Sequence, residues 1–114
     1  MKNNIKNQPL KKVKTLTDGC WVTFYESKDF RDKSITLNGP AEYSKLNNLP
    51  GSGGEDWGDQ FDSLRTGPKT WVIVYNDENY SDDNYTYGPN SSIRELPDGD
   101  DIDSLKIFDH DPHS

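Results

Sequence analysis

Trp21-Val-Thr-Phe-Tyr25-Glu26 returns in this chain as Trp71-Val-Ile-Val-Tyr75-Asn76, and Gly58-Asp-Gln-Phe-Asp-Ser-Leu64 returns as Gly99-Asp-Asp-Ile-Asp-Ser-Leu105. Both copies run in one order: an alternating strand, an acidic hairpin, a Leu-Pro step and a Gly-Asp-x-x-Asp-Ser-Leu segment. The first segments start 50 residues apart and the second 41 apart, so the first copy carries about nine extra residues. Self-similarity of this kind marks duplicated supersecondary units, neither of which can bury its apolar face alone.

Outward from Trp21, the period is two. Trp21, Thr23 and Tyr25 face one way and Val22, Phe24 and Glu26 the other, which predicts a strand over Cys20–Glu26. Ser27–Lys33 reads as a polar hairpin turn and Ser34–Leu37 as the returning strand, closed by the turn signal Asn38-Gly39-Pro40. Residues 41–50 give a short strand or one helical turn, Gly51–Asp56 a Gly-rich loop that accounts for the extra length, and Phe61–Arg65 a fourth strand. The second half repeats this compactly over Thr70–Asn76, Asn84–Tyr87, Ser91–Pro97 and Ile102–Phe108. Eight short strands with turn signals every 8–12 residues predict an all-β sandwich of two Greek keys, one over about 20–66 and the other over about 70–109. Residues 1–18, Asn- and Lys-rich, read as a flexible basic arm, extended at Leu10–Leu16, before a domain over 19–114.

The 114 residues fit one domain, and an apolar content of 30% leaves a thin core of Trp, Tyr, Phe, Leu, Ile and Val. Net charge is −7 but uneven. The arm holds five lysines and one acid, while residues 19–114 carry eight basic and nineteen acidic groups. Such a body repels nucleic acid and anionic membrane and attracts cations. Cys20 is the lone cysteine, so no intrachain disulfide forms, and it reads as a small buried apolar residue. No apolar run reaches membrane-spanning length and the N-terminus lacks a signal-peptide stretch, so membrane insertion is not expected and an intracellular monomer is the default.

These residues resemble the βγ-crystallin Greek-key motif. Its hairpin signature, an aromatic and an acid followed five residues on by an aromatic and then Gly, is similar to Tyr25-Glu26-Ser-Lys-Asp-Phe30-Arg-Asp32 and Tyr75-Asn76-Asp-Glu-Asn-Tyr80-Ser-Asp82. Its second element, two Asn/Asp, two variable residues, Ser/Thr and Ser, resembles Gly58–Ser63 and Gly99–Ser104. The likeness spans residues 20–109. Three departures stand out. Asp32 and Asp82 replace the hairpin Gly at a position that needs positive φ, Gly replaces the first Asn/Asp, and Asp62 and Asp103 replace the Ser/Thr.

The resemblance implies a non-enzymatic module holding two Ca²⁺ ions between the keys. Carried over by position, the ligands are the hairpin carbonyls of Glu26 and Asn76, the bend carbonyls of Gln60 and Asp101, and the side chains of Asp62 and Asp103. It further implies that Glu26 shares a site with Asp101 and Asp103, and Asn76 with Gln60 and Asp62. Asp59 and Asp100 would act through water or behind the ligands, and Ser63 and Ser104 would fasten the hairpins. The chemistry agrees, because Ca²⁺ takes six to eight hard oxygens in irregular shells whereas Zn²⁺ prefers His and Cys. Asp in place of a hydroxyl adds negative charge to each site and makes an empty site self-repelling. Phe61 and Ile102, between the donors, should point inward.

Other chemistry is thinly supported. His110 and His113 with Asp109 and Asp111 read as a disordered polar tail rather than a transition-metal site. There is no phosphate loop, nucleophile elbow or Cys-His pair, so no enzyme is expected. Trp21 and Trp71 read as core residues, leaving Trp57 as an exposed aromatic. The rival reading is a protein-interaction module, an adhesin or an inhibitor of a protease or toxin, that meets an unidentified partner through the Gly51–Trp57 loop.

Overall fold

A computed structural model describes residues 15–97 and 101–114, and it is all-β. The expected arm lysines, Gly99 and Asp100 lie outside the described residues. Eight strands are described: β1 Trp21–Ser27, β2 Arg31–Asn38, β3 Ala41–Tyr43, β4 Ser63–Thr66, β5 Trp71–Asp77, β6 Ser81–Tyr87, β7 Ser92–Ile93 and β8 Ser104–Phe108. They form two four-stranded antiparallel sheets, ordered β2-β1-β4-β7 and β3-β8-β5-β6. Among the described residues, no helix is long and apolar enough to cross a membrane.

The third strand of each key is exchanged. β3 of the first key pairs with β8 of the second, Ala41 opposite Ile107 and Tyr43 opposite Leu105. β7 of the second pairs with β4 of the first, Leu64 opposite Ile93. Each sheet therefore contains a strand from the other half, which is how the duplicated units satisfy their unpaired edges. Period-two alternation sends Val22 and Phe24 of β1, Val72 and Val74 of β5, and Leu105 and Ile107 of β8 into the space between the sheets, where all are fully buried. Phe61 and Ile102 just precede their strands and point into the same core. Cys20 is buried there too, its thiol 3.4 Å from the Phe108 carbonyl.

Several sequence expectations need correction. The hairpin turns are tighter than expected, since β2 starts at Arg31, and the strand expected over Ser91–Pro97 shrinks to two residues, while residues 41–50 take the short-strand alternative at Ala41–Tyr43. Trp57 is not exposed. It is 3% accessible, its amide donates to the Leu46 carbonyl at 2.9 Å, and its ring lies 5.7 Å from Phe61, itself stacked on Phe24 at 3.9 Å. The extra residues of the first key thus loop out and return an indole to the core. Trp21 and Trp71 are half-buried and outside the core cluster. Trp21 lies instead on the turn after β4, where a Cβ on Gly67 would fall 2.6 Å from its Nε1, so only glycine fits beneath that indole. The tail is ordered: Asp109 accepts from Thr17 at 2.6 Å, and the His113 ring meets the Thr86 hydroxyl at 3.0 Å.

Candidate metal centre

Each hairpin is built on left-handed backbone. Asp29, Phe30 and Asp32 have φ of 62°, 58° and 66°, and Asn79, Tyr80 and Asp82 have 60°, 60° and 70°. Asp32 and Asp82 therefore hold the conformation for which the motif ordinarily uses glycine, and Asp is among the residues that tolerate it best. A serine from the last strand of the same key, β4 or β8, ties each turn. Ser63 donates to the Ser27 carbonyl at 2.7 Å and accepts from the Phe30 amide at 3.1 Å. Ser104 does the same for the Asp77 carbonyl and Tyr80 amide, at 2.5 and 3.0 Å. Tyr25 and Phe30 meet edge to face beneath Arg65, and Tyr75 and Tyr80 do so beneath Lys106. The exchanged strands close the pattern: the Asp29 amide donates to Arg94 at 2.8 Å and the Asn79 amide to Ser44 at 2.9 Å.

The ladders break at the two residues expected to offer hairpin carbonyls. The β1–β2 register passes from Tyr25 opposite Ser34 to Ser27 opposite Arg31, and the β5–β6 register from Tyr75 opposite Asn84 to Asp77 opposite Ser81, so Glu26 faces the bulged pair Asp32 and Lys33, and Asn76 faces Asp82 and Asp83. On the other side, the β1–β4 ladder ends at Tyr25 opposite Ser63 and the β5–β8 ladder at Tyr75 opposite Ser104. Glu26 and Asn76 thus lie past the end of one ladder and within the break of the other, where the opposing bulge disrupts strand pairing. The side-chain amide oxygen of Asn76 is buried and has no donor among the described residues.

The acidic bends meet these bulges within each key. The Asp62 amide donates to Tyr25 at 2.9 Å and the Asp103 amide to Tyr75 at 3.0 Å, so Asp62 neighbours Glu26 and Asp103 neighbours Asn76. The resemblance implied a crosswise sharing of ligands; β4 and β8 each pair with the first strand of their own key, which sets Asp62 on the Glu26 side and Asp103 on the Asn76 side. The keys are joined through Asp59. Its amide donates to the Ile102 carbonyl at 3.1 Å, and its carboxylate lies against that of Asp103. Burial pushes the Asp103 carboxyl up to about 6, and the charges of Asp59, Glu78 and Asp77 push the same way. Gly58 makes room for this approach: a Cβ there would lie 3.0 Å from Asp103 Oδ1 and 3.1 Å from Asp56 Oδ1.

Gln60, Asp59 and Asp101 are exposed, while Glu26, Asp62, Asn76 and Asp103 are half-buried. Among the described residues, no three His, Cys, Asp or Glu side chains are grouped to hold a metal by themselves. A cation here would need backbone carbonyls, the donor set that suits Ca²⁺. The orphaned Asn76 oxygen and the crowded Asp59–Asp103 pair fit such an ion. Sequence reading missed the direct contact of Asp59 with Asp103 and the proximity of Asp77 and Glu78; the last two are acids whose counterparts in the first copy are Ser27 and Lys28, so the repeat did not mark them.

A family model described as Beta/Gamma crystallin matches residues 18–109. A βγ-crystallin domain from Clostridium beijerinckii is 27% identical, with a TM-score of 0.63 over 77% of this chain and 97% of that one. A βγ-crystallin domain from Flavobacterium johnsoniae is 24% identical, with a TM-score of 0.63 over 76% and 92%, and the N-terminal domain of protein S is 22% identical, with 0.64 over 77% and 94%. The last two likenesses carry the fold alone. Among curated proteins none matches the chain significantly.

Proposed function

The chain belongs to the beta/gamma crystallin family, and we propose that it is a non-enzymatic calcium-binding domain whose two ions stabilise the junction between its Greek keys. The observation that carries this reading is the pair of ladder breaks at Glu26 and Asn76, each beside an acidic bend bearing Asp62 or Asp103. Glu26, Gln60 and Asp62 would supply oxygens at one junction, and Asn76, Asp101 and Asp103 at the other, with Asp59 reaching the second from the opposite key. A bound divalent ion would neutralise carboxylates that repel one another in its absence. By mass action, an ion at about 100 times its dissociation constant adds roughly 2.7 kcal/mol per site, a large share of the stability of a small domain. The protein-interaction alternative is weakened because Trp57, its principal aromatic anchor, is buried.

Thermal melts in chelator and in excess Ca²⁺, run on the native chain and on D62N and D103N, test the reading. Calcium should raise the melting temperature of the native chain, and each variant should lose part of that rise. An unchanged melt in calcium would overturn it.

A further inference from the structure

The two junctions differ in their hairpins. Residues 26–28 are Glu-Ser-Lys, whose charges cancel, whereas 76–78 are Asn-Asp-Glu, with two negative charges. The remaining acids of the first hairpin are engaged locally: Asp29 pairs with Arg94 at 2.9 Å, and Asp32 hydrogen-bonds to Ser27. Lys28, Arg31 and Arg94 all act on Asp29, so this corner is rich in positive charge. At the second hairpin, Asp77 and Glu78 act on Asp103 together with Asp59 from the other key. A separate feature singles out the same corner: the buried Asn76 amide oxygen lacks a donor among the described residues, and a cation would satisfy it.

Resting on the calcium reading above, we infer that the sites fill in order, the second-hairpin junction of Asn76, Asp101, Asp103 and Asp59 before that of Glu26, Gln60 and Asp62. Lys28 and Glu78, equivalent in the repeat and opposite in charge, set the gap. The counterpart of Asp59 for the first junction, Asp100, lies outside the described residues, so the comparison is carried by the hairpins. Reversing one charge within about 8–10 Å of a divalent ion changes its affinity by about tenfold at low ionic strength, and less in physiological salt.

Calcium titration calorimetry on the full, chelator-stripped chain at low salt tests the order. Two steps are expected, separated by about tenfold or more, with D103N removing the tighter one. E78K should weaken that tighter step by about tenfold and spare the looser, while K28E should strengthen only the looser. Both positions are exposed, and chelator melts of E78K and K28E check that the fold is kept. Two equal sites in the native chain, loss of the looser step in D103N, or no response to K28E would overturn the ordering while leaving the calcium reading intact. A flat trace from the native chain would overturn both.

Discussion

The carboxylate of Asp59, from the first key, lies against that of Asp103, from the second, so the two halves meet through like charges. Such a contact is costly without a cation or a shared proton. Replacing Asp103 with Asn supplies an N–H donor toward Asp59 and removes one charge. D103N should therefore melt higher than the native chain in chelator at pH 7, by about 1 kcal/mol in chemical denaturation, and gain less from calcium. Melting both proteins with and without Ca²⁺ checks this. A D103N that is less stable in chelator would show that the pair does not repel.

Asp103 also sets a pH dependence. Its ordinary value is 3.8 and its folded value about 6, so the folded state binds the proton more tightly than the unfolded chain. Its contribution is most favourable below about 4, is lost as pH rises toward about 6, and is level above. In chelator, the stability difference between native chain and D103N should change across that window and nowhere above it. Calcium competes with the proton, so affinity at this site should fall as pH drops below about 6. Denaturant titrations at several pH values, with an NMR titration of the Asp103 carboxyl, provide the check.

The repeat made the sheet pattern legible, because the alternation at Trp21–Glu26 and Trp71–Asn76 fixes which residues enter the core and its recurrence fixes the pairing of halves. The repeat named the candidate site residues but not their connections. Whether Asp103 meets Glu26 or Asn76 depends on strand register, and register is set by which strands neighbour in space. Trp57 was misread because a Gly-rich loop looks exposed, and only the return of the chain to Leu46 shows that it ends in the core. The half-buried Trp21 was misread too: strand alternation puts Val22 and Phe24 inside and leaves its indole to cover Gly67.

Ser63 and Ser104 are fully buried, and each both donates and accepts across its hairpin. Alanine at either position leaves an amide and a carbonyl without that partner. The cost should be about 2 kcal/mol, which for a domain of this size lowers the melting temperature by roughly 10 °C. S63A and S104A should cost similar amounts in chelator, measured by thermal and denaturant unfolding, because the two hairpins are tied alike. A loss under about 0.5 kcal/mol for both would mean that water replaces the hydroxyls freely.

Trp57 should be a stability residue rather than a binding one. Its indole packs on Phe61, which leads into the Asp62 bend, and its Nε1 is buried without a partner among the described residues. W57A should cost about 3–5 kcal/mol, as large-to-small core substitutions do. W57F keeps ring packing and removes the unsatisfied N–H, so it should cost far less. Because Phe61 lies between Gln60 and Asp62, the cavity in W57A should also loosen that bend and weaken calcium binding at the first junction more than at the second. Denaturant unfolding measures the first effect and calorimetry the second. A W57A domain of native stability would return the Gly51–Trp57 loop to consideration as an interaction surface.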